Sequence, residues 1–370
     1  MESGIVNQIE HLGRSYAAPD TSNYNVGHRF DVVYTKSPLK AFPFGIVKQC
    51  KFEGEVALSP LYGVFTPKNR HVGLMIEAFF EAPERAQAFL SPLCQKGAKN
   101  TLQITNATFL SGRMALPKED GEQKKIADCL ASVDTLIEAQ GRKVEALKAH
   151  KKGLMQQLFP KPGETQPRLR FSEFEGGGDW DLTSIGRLGD VITGSTPSTA
   201  RPEYYGGDRM FVSPGDISDA QFIDKTKTTL TALGFKETRP IRANSTLFVC
   251  IGSTIGKIAQ NRHECATNQQ INSVSPYSSN VDNFVYYALS GMAEEIANLA
   301  GIQAVPIVNK SLFSSVELLI PKRPEQQRIA DCLTSLDDLI AAETQKLDTL
   351  KSHKKGLMQQ LFPVIEEPES

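Results

Sequence analysis

The sequence predicts an α+β protein: two β-rich domains, separated and followed by long helices that pair as an antiparallel coiled coil with pseudo-two-fold symmetry. Two observations carry this prediction. A 39-residue segment starts at residue 122 and again at residue 325, an offset of 203. Short apolar runs punctuated by glycine, proline and asparagine fill the stretch before each copy, as in β-rich domains. An offset this long indicates a duplicated domain and not a solenoid.

The repeated segment has the periodicity of a coiled-coil helix. EQKKIADCLASVDTLIEAQGRKVEALKAHKKGLMQQLFP returns as EQQRIADCLTSLDDLIAAETQKLDTLKSHKKGLMQQLFP. Apolar residues recur at alternating steps of four and three, which is the a/d seam of a coiled coil. Gln140, Lys151, Glu343 and Lys354 interrupt the seam, and such polar breaks fix register and partner choice. The predicted seam consists of Ile126, Leu130, Val133, Ile137, Val144, Leu147, Leu154, Leu158, Ile329, Leu333, Leu336, Ile340, Leu347, Leu350, Leu357 and Leu361.

The sequence leaves two arrangements of these helices open. The near-identity of the seams favours packing on each other, antiparallel, about a pseudo-two-fold axis. The alternative is two amphipathic helices, each packed on its own domain. Pro117 and Pro324 stand just before the helices, and Pro160 and Pro363 end them, since proline cannot continue a helix. At ~1.5 Å per residue each helix would be about 50–55 Å long.

The repeat extends weakly into the domains. Asn106-Ala-Thr-Phe and Asn309-Lys-Ser-Leu stand at the same offset, and an apolar strand is expected after each, at 113–116 and 316–320. Farther upstream, the strand expected at Asp31-Val-Val-Tyr corresponds in the repeat to the one expected at Ser245-Thr-Leu-Phe, and each leads to a second strand. Helices are expected at 79–90 and 284–299.

The two domains are unequal at their starts. The second opens with Gly178-Asp-Trp, more than fifty residues before the matched strands, whereas the first reaches them within thirty residues of Met1. We therefore expect the opening segment of the first domain to be missing.

Composition restricts the classes of function. Hydrophobic residues make up 40% and charged residues 22%, as in soluble globular proteins. No apolar run approaches the ~20 residues of a membrane span, and no export signal is visible, so we expect a cytoplasmic protein without a membrane partner.

The formal net charge is −1. Because phosphate neutralisation supplies most affinity for DNA, a nucleic-acid function would require a local basic face or a partner that contributes charge.

Motifs for catalysis and metal binding are absent from the sequence. The six cysteines include no CxxC pair and the six histidines no HExxH, so neither metal ligands nor catalytic residues are predicted. Gly252-Ser-Thr-Ile-Gly-Lys-Ile is one residue short of a phosphate loop and lacks its hydroxyl, which favours a strand pair joined by a tight turn. Cys129 and Cys332 are expected near the seam, and His150 and His353 on a helix face.

Several motifs in order resemble the specificity subunit of type I restriction-modification systems. They are Gly178-Asp-Trp before Leu182-Thr-Ser-Ile-Gly, Ile251-Gly-Ser-Thr-Ile-Gly-Lys, Thr267-Asn-Gln-Gln-Ile-Asn, Pro324-Glu-Gln-Gln-Arg-Ile-Ala and the repeated Lys-Lys-Gly-Leu-Met-Gln-Gln-Leu-Phe-Pro. The likeness covers nearly the whole chain; the shortened first domain departs from it. It implies a target-recognition domain at 1–119, a central spacer helix at 120–160, a linker at 161–177, a second target-recognition domain at 178–322, a distal spacer helix at 323–363 and an acidic tail at 364–370.

The resemblance implies a protein without catalytic activity. It would hold adenine-methyltransferase subunits, two in number, and join restriction subunits that act as translocases. Each recognition domain would read one half of a bipartite target in double-stranded DNA. S-adenosylmethionine, ATP and Mg would bind to the partner subunits and not to this chain.

Candidate DNA-binding residues carry the groups that contact phosphates or base edges. For any one basic residue an ordinary solvated surface charge is the favoured interpretation, whereas Asn268-Gln-Gln could equally be a turn capped by its own amides. The first-domain candidates are Tyr34, Lys36, Ser37, Lys40, Lys96, Lys99 and Asn100. The second-domain candidates are Thr196, Arg209, Ser213, Lys225, Lys227, Ser253, Thr254, Lys257, Asn268, Gln269 and Gln303.

Two alternatives to the full recognition subunit remain. One is a half-site or silent scaffold subunit that docks the methyltransferase without full bipartite recognition, suggested by the shortened first domain. The other is a nucleotide-dependent enzyme, for which the imperfect glycine loop is the support.

Overall fold

The computed structural model describes residues 4–17, 19–96, 102–301 and 306–363. The chain divides into two compact units. The first unit comprises residues 1–142 with 344–370, and the second comprises residues 143–343. Each unit therefore contains a β-rich domain, part of one long helix and part of the other.

The first unit is built on a small antiparallel sheet of order β3-β2-β5, against which α2 packs. Its core includes Tyr34, Phe80, Leu90 and Phe109. The Asn69 side chain caps α2 by accepting from the backbone of its first turn, as asparagine does at helix starts. The elements are α1 Gln8–Leu12, β1 Asn25–Gly27, β2 Val32–Tyr34, β3 Val47–Gln49, β4 Val56–Leu58, β5 Gly63–Phe65, α2 Arg70–Glu81, α3 Pro83–Leu90, β6 Gln95–Lys96, β7 Leu102–Gln103, α4 Asn106–Ser111 and α5 Asp120–Leu158.

The second unit contains a five-stranded sheet of order β11-β14-β13-β16-β9, a three-stranded sheet β12-β10-β15 and a pair β17-β8. Trp180 is buried in its main core, beside Phe159 and Phe284. The elements are β8 Asp181–Ser184, α6 Ile185–Leu188, β9 Gly189–Thr193, β10 Tyr205–Val212, β11 Phe222–Ile223, β12 Thr228–Leu230, α7 Ala232–Lys236, β13 Thr246–Val249, β14 Ile258–Asn261, β15 Ala266–Thr267, β16 Ile271–Pro276, α8 Asp282–Gly291, α9 Ala293–Asn298, α10 Lys310–Ser315, β17 Glu317–Ile320 and α11 Arg323–Leu361.

The two strands matched in the sequence occupy equivalent positions in the two sheets, and a second strand follows each. β2 is central and antiparallel to β3 and β5, and β13 is central and antiparallel to β14 and β16. The connection from β2 to β3 is therefore the counterpart of the connection from β13 to β14.

The long helices pack on each other in both units. In the first unit Leu130 of α5 clusters with Met358 of α11; in the second, Leu158 of α5 clusters with Ile329 and Leu333 of α11. An early part of each helix thus meets a late part of the other, so the pairing is antiparallel. All sixteen seam positions are buried or half-buried, and each fully buried leucine stabilises the pair by about 1.5–3 kcal/mol. The antiparallel coiled coil is confirmed, and the alternative of separately packed helices is wrong.

The structure corrects several local expectations. Residues 113–116 form no strand, whereas the matching β17 pairs with β8; no counterpart of β8 lies among the described residues of the first unit. Thr105, not Asn106, is the counterpart of Asn309, since these two residues cap α4 and α10. Pro324 lies inside the first turn of α11, where the missing N–H costs no hydrogen bond.

Two further expectations change. The helix expected at 79–90 is two helices, α2 and α3, because Pro83 begins the second, and the helix expected at 284–299 breaks at Met292. Cys129 is exposed and Cys332 half-buried, so the expected packing of Cys129 near the seam is wrong. Within the described ranges no helix is long and apolar enough to cross a membrane.

Candidate nucleic-acid interface

Three loops of the second unit meet at one edge of its large sheet. β16 runs antiparallel to both β9 and β13, so the segment before β16 lies beside the ends of the other two strands. The Ser195 N–H donates to the Thr267 carbonyl at 2.9 Å, and the Cys250 N–H donates to the Gln270 carbonyl at 2.8 Å. We call this the second-unit edge; it comprises residues 194–196, 250–257 and 267–270.

Exposed amide and hydroxyl groups lie at the second-unit edge. The Thr196 hydroxyl donates to Gln269 Oε1 at 2.6 Å, and both residues are exposed. The Asn268 side chain instead closes its own turn: Oδ1 accepts from the Gln270 N–H at 3.1 Å and Nδ2 donates to Gln270 Oε1 at 3.0 Å. The turn-capping interpretation therefore describes Asn268, whereas the side chains of Thr196 and Gln269 are exposed.

A further loop, residues 213–217, adjoins the edge because the Asn268 N–H donates to the carbonyl of Val212. Ser213 and Asp216 cap each other within this loop. Asp216 Oδ1 accepts from the backbone N–H of Lys227 at 2.9 Å, and the Lys257 ammonium lies 3.4 Å from the Ile217 carbonyl. Both lysines therefore lie beside the loop that adjoins the edge.

Glycine permits the close approach of these loops. A Cβ on Gly194 would stand 2.2 Å from the carbonyl oxygen of Asn268, closer than any real contact. Gly252 and Gly256 have φ of 94° and 92°, which glycine adopts without strain. Lys257 leads directly into β14 and not into a helix, as a phosphate loop would require. The strand-pair interpretation of this motif therefore describes the structure.

The second-unit edge is locally basic. Lys227, Lys257 and Arg239 are exposed and have no ion-pair partner among the described residues. The Arg239 guanidinium donates to the Thr193 carbonyl at 2.8 Å, at the end of β9. The candidates drawn from the sequence omitted Arg239, because only tertiary folding brings position 239 to this edge. These three cations lie beside the second-unit edge, together with the carboxylate of Asp216.

Of the remaining second-domain candidates, two lie at the second-unit edge and two lie elsewhere in the unit. Ser253 is exposed and Thr254 half-buried within the loop from β13 to β14. Arg209 lies within β10, where its guanidinium is 4.0 Å from Glu264 and 5.7 Å from the ring of Phe235. Lys225 is exposed in the connection from β11 to β12. The described contacts bring neither Arg209 nor Lys225 to the edge.

The first unit has a corresponding edge in the loop from β2 to β3. Lys36 is half-buried, and its ammonium donates to Asn106 Oδ1 at 2.7 Å; burial lowers its pKa. Ser37 and Lys40 are exposed in the same loop. Gly45 closes it with φ of 90°. We call residues 35–46 the first-unit edge.

Of the other first-domain candidates, Tyr34 is buried in the core, and the side chains of the rest lie outside the described residues. Tyr34 is fully buried, and its hydroxyl donates to the Phe44 carbonyl at 2.7 Å. This burial raises the pKa of Tyr34, and the residue belongs to the core. Lys99, Asn100, Gln303 and the side chain of Lys96 lie outside the described residues.

A buried glutamine attaches each domain to the start of a long helix. Gln123 accepts from the Asn69 side chain at 3.1 Å and donates to the Pro117 carbonyl at 2.8 Å. Gln326, its repeat counterpart, accepts from the Val281 N–H at 3.0 Å and donates to the Pro321 carbonyl at 3.0 Å. Asn69 and Val281 are the N-cap residues of α2 and α8, so both domains are fixed to the helices in the same way.

Lysines at the polar breaks of the seam form ion pairs between the helices. Lys151 lies 2.6 Å from Asp337, and Lys354 lies 2.6 Å from Asp134. Lys354 also contacts Glu81 of α2. Burial by itself lowers the pKa of Lys354, but the hydrogen bonds and charges of the two carboxylates outweigh it, so this pKa is raised.

The linker is fixed to the second unit. The Arg170 guanidinium makes two hydrogen bonds to the Glu325 carboxylate, each of 2.8 Å, and the pKa of Arg170 is raised by these bonds. Among the described residues, no group of His, Cys, Asp and Glu could hold a metal ion.

The sequence is similar to known restriction proteins. Residues 177–352 match the family described as type I restriction modification DNA specificity domain. The type I restriction enzyme MjaIX specificity subunit of Methanocaldococcus jannaschii is 30% identical over 189 residues, which are 50% of this chain and 44% of that protein. The HindI specificity subunit of Haemophilus influenzae is 32% identical over 149 residues, 39% and 32% of the two chains. The match thus spans less than half the length of either relative.

The fold is similar to that of solved specificity subunits. The crystal structure of a type I restriction-modification S subunit from M. genitalium matches with a TM-score of 0.61 at 13% identity, covering 93% of this chain and 85% of that chain. A chain from a study of complex assembly in a type I system matches with a TM-score of 0.57 at 14% identity, covering 91% and 82%. At such low identity these matches support the fold alone.

Proposed function

We propose that the protein is the non-catalytic recognition and assembly subunit of a type I restriction-modification complex, since residues 177–352 match the family described as type I restriction modification DNA specificity domain. Each unit reads one half of a bipartite target in double-stranded DNA. The helices dock two adenine-methyltransferase subunits, and restriction subunits complete the assembly. S-adenosylmethionine, ATP and Mg bind to those partners, and the complex acts in the cytoplasm.

The observation that carries this proposal is the equivalence of the two edges. Each edge lies at the end of a central strand, β2 or β13, and each domain is attached to a long helix through a matching glutamine, Gln123 or Gln326. A protein with two readers attached in the same way can recognise two separated half-sites.

The second-unit edge has cations that would contact phosphates and polar side chains that would contact bases. Lys227, Lys257 and Arg239 present positive charge that no ion pair among the described residues neutralises, and this charge would neutralise phosphates. Thr196 and Gln269 present hydroxyl and amide groups, and these discriminate base edges in the major groove.

One test is binding selection from a randomised duplex by this chain together with its methyltransferase subunit. We expect enrichment of two short motifs separated by a fixed number of unspecified base pairs. Enrichment of one contiguous motif, or of none, would contradict bipartite reading.

A second candidate function is supported by the different sizes of the central sheets in the two units. The central sheet of the first unit has three strands and that of the second has five. A half-site scaffold would use the second-unit edge for reading and the first unit for methyltransferase docking alone. The same selection distinguishes this candidate, because it predicts one half-site with the methyltransferase still bound.

A further inference from the structure

The loop that carries Thr196 is tied to its surroundings on both sides of this residue. Before it, the Ser195 N–H donates to the Thr267 carbonyl at 2.9 Å. After it, the Pro197 carbonyl accepts from the hydroxyl of Tyr205, in β10, at 2.7 Å. The backbone of Thr196 therefore has a fixed position at the second-unit edge, while its side chain is exposed.

Gln269 lies at the tip of the turn that leads into β16. The Ile271 N–H donates to the Asn268 carbonyl at 3.2 Å and closes the turn. The Asn268 side chain accepts from the Gln270 N–H, and the Gln270 carbonyl accepts from the Cys250 N–H at 2.8 Å. The turn is therefore held both internally and against the end of β13, and the Gln269 side chain at its tip is exposed.

One hydrogen bond orients the amide of Gln269. The Thr196 hydroxyl donates to Oε1 at 2.6 Å, which occupies one of the two lone pairs of that oxygen. Among the described residues none accepts a hydrogen bond from Nε2, so both of its N–H donors are available. Because the oxygen and the nitrogen leave the same carbon in different directions, the oxygen faces Thr196 and the donors face away from it.

Free donors of this kind match one purine edge in the major groove. Guanine presents two acceptors there, N7 and O6, whereas adenine presents one acceptor and one amino donor. The usual bidentate contact of glutamine with adenine uses both the amide oxygen and the amide nitrogen, but here the Thr196 hydroxyl stands beside the oxygen. An adenine amino group opposite Nε2 would lose its hydrogen bond to water without gaining another, which disfavours adenine.

The partner base of guanine suits the remaining polar atom. Having donated its single hydrogen, the Thr196 oxygen can only accept, and cytosine presents an amino donor in the major groove. The Arg239 guanidinium, bonded to the Thr193 carbonyl at 2.8 Å, is a cation at the end of the strand that leads to Thr196. A phosphate contact there would hold the duplex in register over the two side chains.

We propose that Thr196 and Gln269 together read a G·C base pair: Gln269 Nε2 donates to guanine, and Thr196 is the positioning residue that turns the amide away from adenine. The proposal rests on the proposed function, in which the second-unit edge contacts the major groove of the target. Water competes for the Thr196–Gln269 hydrogen bond in the free protein. A base pair that covers both side chains excludes this water, and the bond is stronger in the lower dielectric of the interface.

Binding selection from a randomised duplex by the full chain with its methyltransferase subunit tests the proposal. Gln269→Ala should remove the preference at one base pair, and the unaltered chain should select G·C at that position. Thr196→Val removes the hydroxyl and frees the amide to present its oxygen, so adenine should become acceptable there. We expect the ratio of affinities for duplexes with G·C and with A·T at this position, measured by fluorescence anisotropy, to fall about tenfold.

Thr196→Ser is the matched control, because serine keeps the hydroxyl that holds the amide, and its affinity ratio should equal that of the unaltered chain. Both side chains are exposed, so we expect equal thermal midpoints for all variants. The inference is overturned, and the proposed function left intact, if Gln269→Ala affects no position or a position other than G·C, or if Thr196→Val keeps the original ratio. Failure of the unaltered chain to select any sequence contradicts the proposed function itself.

Discussion

Lys354 lies 2.6 Å from Asp134, and the same contact recurs between Lys151 and Asp337, the residues 203 positions earlier and later in the repeat. The two contacts are equivalent under the repeat, with the lysine in α11 in one case and in α5 in the other. A lysine in one helix copy meets an aspartate in the other, so a parallel or shifted pairing would leave these charges without partners. Such polar contacts in an apolar seam select one register.

Removing one aspartate should therefore weaken the helix pair. Asp134→Asn leaves the half-buried Lys354 paired with Glu81 but replaces its second carboxylate by a neutral amide, and hydrogen bonds to charged groups contribute about 1.5–3 kcal/mol. We expect a loss of that size in the free energy of unfolding, measured by urea denaturation. Asp128→Asn, at an exposed position of the same helix, should change it little. An equal effect of the two substitutions would show that the ion pair does not stabilise the fold.

Acid should destabilise the first unit through Glu81. Burial by itself raises the pKa of Glu81, but Lys48 and Lys354 outweigh it, and the pKa lies below the ordinary 4.5. A lowered pKa stabilises the fold above the unfolded value, and this contribution is lost as pH falls through the folded value. Denaturation midpoints from neutral pH to pH 3 should fall less steeply in Glu81→Gln than in the unaltered chain. Parallel pH profiles of the two proteins would refute this role.

Breaking the attachment of a domain to its helix should be costly. Gln326 is buried and satisfies the Val281 N–H and the Pro321 carbonyl. Gln326→Ala leaves both groups without partners, which costs about 1–3 kcal/mol for each buried group. We expect a lower thermal midpoint and faster proteolysis of the second unit. Gln327→Ala, at the exposed neighbouring position, is the control, and a midpoint equal to that of Gln326→Ala would contradict the account.

Breaking the linker contact should destabilise the second unit. Arg170→Ala leaves the Glu325 carboxylate, 3% exposed, without its cation. Removing one partner of a buried ion pair typically costs about 3–5 kcal/mol, and chemical denaturation would measure it. Arg168→Ala, which removes a pair with Glu164 at the surface, should cost much less, because solvent screens such pairs. A smaller loss for Arg170→Ala than for Arg168→Ala would show that the linker is not fixed by this contact.

The sequence predicted the helices closely because their signal is long, periodic and repeated. The limits 120–160 and 323–363 lie within two residues of α5 and α11. It failed at residues 113–116, since an apolar run becomes a strand only beside a partner strand. It also failed for Tyr34, because a tyrosine at the end of an apolar strand can equally face the core, and for Arg239, whose position at the edge depends on the tertiary fold. The predicted domain limits and DNA contacts stay predictions.

The most direct test of two-site reading is binding selection from a randomised duplex with variants of each edge. The full chain with its methyltransferase subunit is compared with Thr196→Ala/Gln269→Ala and with Ser37→Ala/Lys40→Ala. We predict that the unaltered chain selects two motifs separated by a fixed gap, and that each double variant loses sequence preference in a different motif. Loss of preference at the same base pairs in both variants, or selection of a single contiguous motif by the unaltered chain, would contradict the account.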